Sequence, residues 1–439
     1  MIAYHFPPDA AVGALRPLKF AKYLPNCGWE PYVLTVKEKY YPVLDASRGG
    51  GETAFSPRVF RTRMLPNPSS VYRRLKRAYY GPVRHDGPAP KGFQREGAGL
   101  WSSVCRWRRL VGSLLSLPDE TLGWLPVGTA KAVQLLRRYK IRSIYTSGPP
   151  HSVHLMGLVI KKITGVRWIA DFRDLWTLSG GDERTMVRRM ERWMERTVVE
   201  NADIVVTTTQ RMREAFQGAY SSARGKLVTI PNGYDSEDFA TLERGRGEKF
   251  RIVYLGSFYL SRTPEPLLAA LSALLAEGRI EADRLDVRFV GDCEYANGRR
   301  ISDVAAFFCL SRVVKVLAPV SYRQALAYMA NSELLLLLAP NQACEIPAKA
   351  FEYLASGTDV LTVTEDGATA DLMRGFERAR VVHPEDIGGM KEAVLRCYER
   401  WRDGRSEGRD SLAQDVWMYE RGELTRELVT VLQGGVGEE

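Results

Sequence analysis

Short apolar runs recur along the chain, separated by longer stretches whose apolar positions fall three and four residues apart. The runs at 2–6, 32–36, 59–63, 143–147, 167–171, 204–208 and 227–231 predict strands in the first half. Those at 251–256, 287–291, 313–317, 334–339, 360–364 and 380–383 predict strands in the second. Many are unbroken Val, Ile and Leu without alternation, as in parallel strands buried on both faces. The stretches at 16–26, 152–164, 183–201, 265–277, 322–329 and 347–355 carry the helical period. Strands alternating with helices predict βαβ units, and hence an α/β protein of doubly wound parallel sheets.

At 439 residues the chain is too long for one ordinary core, since domains run to about 100–200 residues. The polar stretch from Asp235 to Lys249, with GRGEK inside it, separates two strand–helix series and predicts a linker. That gives two Rossmann-like domains, 1–240 and 250–405, facing each other across a cleft. A tail, 406–439, carries a helix at 411–432 that no strand follows and that can cross back onto the first domain. The first strand has almost nothing before it, which allows a start a few residues upstream. Ligands of open parallel sheets bind beyond the carboxyl ends of the strands, so the chemistry is expected in the loops that follow them.

Composition narrows the class. A chain 45% hydrophobic and 26% charged, without low-complexity tracts, is globular. The six cysteines are scattered and form no CxxC pair, which argues against a zinc site or disulfide framework and suits a reducing cytosol. The longest aliphatic run, 334–339, is far short of the roughly 18 residues a spanning helix needs. MIAYHFPPDA lacks the basic region and apolar stretch of a signal peptide. A cytoplasmic protein is expected. Its net charge of +10 is concentrated within a basic, aromatic insertion at about 61–125. Between Arg61 and Arg109, ten Arg and two Lys stand against only Asp86 and Glu96, an excess equal to that of the whole chain. Tyr72, Tyr79, Tyr80, Phe93, Trp101 and Trp107 are interleaved. Such a stretch suits an anionic membrane surface on the inner face of the cell membrane. There each Lys or Arg contributes about 1 kcal/mol and aromatic rings sit at headgroup level. A solvated insertion is the other reading. No nucleic-acid motif accompanies it.

Several loops offer candidate chemistry. The first strand leads into PPDAAVGALR, where Gly13 precedes a helix. A glycine there lets backbone approach a ligand and a helix start favours anions, although a plain turn explains one glycine equally well. The run at 334–339 leads into EIPAKAFEYLASG (345–357). Pro347 suits the first turn of a helix and Gly357 its end. Lys349 and Glu352, three apart, share a face. A Glu so placed can accept two hydrogen bonds from a ribose diol, while a cation and the helix start hold a diphosphate; a surface ion pair is the plain alternative. TSGPPHSVHLMGL (146–158) offers His151, nearer the strand end, and His154. Asp171, Arg173 and Asp174 of DFRD end the next strand. An Asp171–Arg173 pair there can bind acceptor hydroxyls or a phosphate, or be a structural ion pair. The near match to a metal-binding DxD, Asp292–Glu294, lies in the second domain, and no metal is expected.

Taken in order, HFPP…GALR, IADFRDLW (169–176), TIPNGYD (229–235), YLGSFYLSRTPEPLL (254–268), VRFVGD (287–292) and EIPAKAFEYLASG resemble the family 4 glycosyltransferases, which have the GT-B fold. The resemblance spans nearly the whole chain apart from the basic insertion. It implies that Glu352, the second Glu of a two-Glu motif, binds the donor ribose, with loops near Val320 around the nucleoside. It implies that Arg262 holds the donor phosphates, that Gly13 lies against the diphosphate, and that a His of the 146–158 loop, His151 or else His154, faces the reacting sugar. It further implies a retaining transferase with a nucleotide-diphosphate sugar as donor and no metal or other cofactor. The acceptor would be a hydroxyl of a glycan or lipid-linked acceptor, in polysaccharide or glycolipid assembly. The sequence departs from the family twice. The first Glu falls at Cys344, with Glu345 one place late, and a second cation is replaced by Ser257, for which Lys349 is a partial substitute. These departures favour one alternative of the same fold, a non-catalytic nucleotide- or membrane-binding protein; a nucleotide-sugar epimerase of the same fold is a second alternative.

Overall fold

The computed structural model describes residues 1–45, 58–67, 117–180, 185–240, 242, 245, 247–259, 261–404 and 414–434. Most of the basic, aromatic stretch at 61–109 lies outside them. Strands β1 (Ile2–Ala3), β2 (Tyr32–Val36), β3 (Arg58–Thr62), β4 (Ser143–Gly148), β5 (Arg167–Phe172), β6 (Ile204–Thr207) and β7 (Leu227–Thr229) form one sheet in the order 3-2-1-4-5-6-7. In the second half, β8 (Phe250–Leu255) and β9 (Leu285–Val290) are followed by a small antiparallel hairpin, β10 (Tyr295–Ala296) and β11 (Arg299–Arg300). Then come β12 (Val314–Leu317), β13 (Leu334–Leu338), β14 (Asp359–Val363) and β15 (Ala379–Val382), giving a sheet in the order 12-9-8-13-14-15. Strand pairing within both large sheets is parallel.

Helices α1 (Leu15–Tyr23), α2 (Leu125–Tyr139), α3 (Ser152–Thr164), α4 (Met186–Asn201) and α5 (Gln210–Ala219) belong to the first half, and α6 (Ser236–Ala240) lies on the linker. Next are α7 (Glu265–Ala276), α8 (Ile301–Phe307), α9 (Tyr322–Ala330), α10 (Lys349–Ala355), α11 (Ala368–Arg374) and α12 (Ile387–Arg402), and finally α13 (Arg421–Gln433). No described helix is long and apolar enough to cross a membrane.

The unbroken apolar runs are explained by burial on two sides. In β13, Leu334, Leu336 and Leu338 join Phe250, Phe289 and Leu271 on one face. Leu335 and Leu337 join Val253, Tyr353 and Leu354 on the other. The first sheet is likewise double-faced. Trp168, Ala170 and Val205 pack toward α2 and α3, while Ile169, Ile204 and Val206 pack against Phe20 of α1 and Leu424, Leu428 and Val431 of α13. Helix α13 thus lies over the first sheet, although it follows the second in sequence. Arg167 Nη2 donates to the Val431 carbonyl at 3.0 Å, and Tyr234, just before the linker, forms a parallel bridge with Glu420.

Each sheet reverses its strand order at one place, between β1 and β4 and between β8 and β13. The crevices beyond those strand ends are where open parallel sheets take their ligands. Leu428, 1% exposed, tests the docking of α13. Leu428→Ala should destabilise the first half by about 2–5 kcal/mol, read as a lower melting temperature; an unchanged midpoint would mean that α13 is not held there.

Candidate functional site

At the first reversal, the loop after β1 leads into α1 and the loop after β4 into α3. Arg16, in the first turn of α1, is 2% exposed. Its Nε and Nη2 donate to the two oxygens of Asp171 at 3.1 and 2.9 Å, and Nη1 and Nη2 to the carbonyls of Pro231 and Ile230 at 2.6 and 2.9 Å. Asp171 also accepts from Tyr145 Oη at 2.5 Å and Ser147 Oγ at 2.7 Å. The expected Asp171–Arg173 pair is therefore divided. Asp171 spends its oxygens on Arg16 and two hydroxyls, fully buried, with none left for an acceptor.

Arg173 does a different job. Its Nε donates to the Gly148 carbonyl at 3.1 Å, Nη1 to the Gly13 carbonyl and Nη2 to the Pro149 carbonyl. It joins the two loops of the crevice. A side chain at position 13 would overlap this guanidinium and oblige it to shift from the carbonyls it holds. Burial lowers the Arg173 pKa, against the opposing charges of Asp174 and Asp171.

The two histidines separate as clearly. His154 Nδ1 lies 3.0 Å from Thr146 Oγ1 and its ring stacks on Phe172 at 4.3 Å, inside the core. His151 stacks flat on the Trp176 indole, 4.7 Å between centroids, and its Nδ1 has no hydrogen-bond partner. Burial, opposed by Asp119 and reinforced by Arg173, brings its pKa down to about 4. It is thus a neutral imidazole at physiological pH, a hydrogen-bonding group and not an acid. Asp174 is exposed, yet the protein around it raises its pKa by desolvation, as in a narrow cleft.

At the second reversal, Lys349 opens α10 and reaches back over β8. Its Nζ donates to the Leu255 carbonyl at 2.7 Å and lies over the Tyr254 ring, 4.0 Å from the centroid. This puts the ammonium against Gly256 (φ +138°) and next to Ser257. The Arg262 guanidinium sits over the Tyr259 ring at 4.3 Å. Burial first, then the charge of Arg262, brings the Lys349 pKa down to about 7. Two cations in mutual repulsion within a cleft mark a place suited to an anion. Glu352, on the same helix, is 2.9 Å from Tyr322 Oη, which is also 3.2 Å from Asp238 Oδ2.

Glu345 bridges the two halves: its Oε1 accepts the backbone N–H of Leu175 at 3.3 Å. Burial and then Asp174 raise its pKa. Beside it, Thr209 Oγ1 donates to the Cys344 carbonyl, and Arg211 pairs with Asp371 at 2.6 Å. The segment at 344–345 therefore closes one side of the cleft. Gly13, Arg173 and His151 stand in the first crevice, Arg262, Lys349 and Glu352 in the second, and Glu345 between them.

The sequence reading did not single out the cluster at the linker. Lys19 Nζ donates to Asp235 Oδ2 at 2.6 Å and Asp238 Oδ2 at 2.7 Å, and Lys22 Nζ to Asp235 at 2.8 Å. Burial works to raise the Asp235 pKa, but the two lysines prevail and hold it at about 2. Nor did it find Arg421. Burial lowers the pKa of that guanidinium to about 10; Nη1 has no hydrogen-bond partner, and Glu352 and Asp235 lie within its electrostatic reach. An acid ending TIPNGYD just before the linker was the available signal for Asp235; Tyr322 and Arg421 had none. Among the described residues no group of three or more His, Cys, Asp or Glu is placed to hold a metal ion.

Two doubly wound parallel domains whose reversal points carry these residues define the GT-B architecture. The chain belongs to the family of the glycosyl transferase 4-like domain, whose sequence model matches residues 14–233. It is 26% identical over 243 residues to the D-inositol 3-phosphate glycosyltransferase of Corynebacterium jeikeium (strain K411), an alignment covering 50% of this chain and 57% of that protein. In three dimensions it is similar to sucrose-phosphate synthase from Thermosynechococcus elongatus, with TM-score 0.62 and 15% identity over 98% of this chain and 97% of that one. It is also similar to Anabaena HepE in complex with UDP and glucose, with TM-score 0.59 and 14% identity over 99% of each chain. At such identities the structural likeness concerns the fold.

The Arg16–Asp171 pair yields a direct test. Asp171→Asn leaves a buried guanidinium without its counter-charge and should cost about 3–5 kcal/mol of stability, read by thermal or denaturant melting. A variant as stable as the parent would show that the pair does not organise the first crevice.

Proposed function

We propose that the protein is a retaining, metal-independent glycosyltransferase. It would move a sugar from a nucleotide-diphosphate sugar to a hydroxyl of a glycan or lipid-linked acceptor, in polysaccharide or glycolipid assembly at the inner face of the membrane. The observation that carries this reading is the pair of crowded cations, Arg262 and Lys349, the latter one helical turn from Glu352, in the crevice of the second sheet. The difficult step is departure of the nucleoside diphosphate, which gains charge as the bond from the anomeric carbon to phosphate oxygen breaks. Preorganised cations aimed at that charge supply the largest catalytic term in reactions of this kind. Glu352 accepts the ribose hydroxyls, and the Gly13 loop, held by Arg173, closes on the diphosphate from the first domain. The acceptor oxygen bonds the anomeric carbon on the face the phosphate leaves, and its proton passes to the departing phosphate oxygen. No protein nucleophile is required. Neutral His151 lends a hydrogen bond to the sugar, and Glu345 holds the loop after β5 against the donor side.

Two measurements test the donor site. Glu352→Ala should weaken binding of UDP or GDP by tenfold or more, about the worth of hydrogen bonds to a charged group; unchanged affinity sinks the assignment. Turnover that needs no acceptor would favour the epimerase, and nucleotide binding without donor consumption the non-catalytic reading.

Lys349 gives the site a pH signature. With its pKa near 7 in the free protein, the ammonium loses its proton as pH rises, while a bound diphosphate favours the charged form. Affinity for a nucleoside diphosphate should therefore fall by about tenfold between roughly pH 7 and 8.5, with proton uptake on binding visible by calorimetry in buffers of different ionisation enthalpy. Lys349→Met should flatten the profile; a profile unchanged by that substitution would remove Lys349 from the site.

A further inference from the structure

Helix α4 (Met186–Asn201) presents a face that no described neighbour covers. Met186 is 57% and Trp193 65% exposed, with Met190 half-buried between them. At about 100° per residue these three fall within roughly 60° of one another and form an apolar ridge. Arg189 and Arg196, both exposed, run along one edge of the ridge, and Arg192 extends that edge. The acids of the helix are largely turned away. Glu191 pairs with Arg188 at 3.3 Å. Glu195 is fully buried, accepting from Thr177 N and Tyr220 Oη, each at 3.1 Å. Only Glu200, in the last turn, is an exposed acid. The helix is also tied to the cleft: Arg188 donates to the carbonyls of Trp176 and Thr177, and Trp176 is the ring that stacks on His151.

We propose that this face of α4 rests on an anionic lipid surface. Met186, Met190 and Trp193 would lie at the boundary between headgroups and acyl chains, and Arg189 and Arg196 on the phosphates. An exposed indole and two thioethers beside a row of arginines, with no exposed acid in the central turns, form the pattern of an interfacial helix lying in the membrane plane. Charge complementarity selects the occupant, since a continuous sheet of phosphates pairs with every cation of the row at once. The surface draws on no residue of the donor site or of the stretch at 61–109. Joined to the proposed function, it brings a lipid-linked acceptor in beside Trp176.

The test is co-sedimentation of the full chain with vesicles of phosphatidylglycerol and phosphatidylcholine, against vesicles of phosphatidylcholine alone. The parent should bind the anionic vesicles, and Arg189→Glu with Arg196→Glu should weaken that binding by at least about tenfold. Brominated lipid should quench a fluorescence component that disappears in Trp193→Phe. All three positions are exposed, so melting temperature and nucleotide-induced thermal shift should stay at parental values, which separates failure here from failure of the donor-site reading. Parental vesicle binding by the double variant overturns the proposal. So does equal binding to the uncharged vesicles, or a Trp193→Ser variant that changes oligomeric state while vesicle binding is unaltered, which would mark a protein interface.

Discussion

The buried ion pair between Arg16 and Asp171 is the constraint on which the first half of the cleft depends. Taking two charges out of water is costly, and the geometry repays it only when every remaining donor and acceptor finds a partner. Here they do: Tyr145 and Ser147 complete the carboxylate, and the carbonyls of Ile230 and Pro231 complete the guanidinium. The pair therefore fixes three things together: the start of α1, the end of β5 and the chain leaving β7 for the linker. With Asp171 satisfied from that side, Arg173 is released to hold the loops after β1 and β4 by their carbonyls. A direct Asp171–Arg173 bond would have left the Gly13 loop without its anchor.

The second half meets a different difficulty, how to place positive charge where backbone is crowded. The turn after β8 lies against the turn after β9, and a side chain at Gly291 would overlap the Gly256 carbonyl. The residue after that turn is Ser257, and the cation comes instead from α10, where Lys349 lies over Tyr254. The chemical consequence follows from residue type. An arginine there would stay charged at any pH the protein meets, whereas a buried lysine shifts readily. Desolvation beside Arg262 places it near neutrality. On the proposed donor-site reading, a diphosphate would gain affinity there partly through proton uptake by Lys349.

The sheets were legible because their strands are covered on both faces. The five consecutive leucines of β13 divide between two clusters, and no alternation was possible. Two-residue strands such as β10 and β11 bury too little to leave a pattern. Helix α12 was not singled out because Gly388 and Gly389 open it, although Asp386 caps it through the Gly389 N–H at 2.8 Å. Loops after strands pointed to Gly13, Lys349 and Glu352, and the resemblance of the ordered motifs added Arg262 and the role of His151, since local order carries both signals. The partner of Asp171 was not legible: Arg16 is 155 residues away, and Arg173, two residues off, was the nearer cation. Tyr322 and Arg421 were hidden for the same reason, because only the fold brings them to Glu352.

That assembled neighbourhood links the two crevices. Glu352 meets Tyr322, Tyr322 meets Asp238 on the linker, and Asp238 meets Lys19 on α1, one turn beyond Arg16. Burial, then the charges of Glu352 and Asp238, raise the Tyr322 pKa, so its hydroxyl stays a donor. A ribose diol bound at Glu352 would share its carboxylate with that phenol. A change in the angle between the sheets that drew Tyr322 from Asp238 would leave the phenol to Glu352 and Asp238 to Lys19. The same few polar contacts therefore tie Glu352, the carboxylate proposed for the donor ribose, to the linker and to α1.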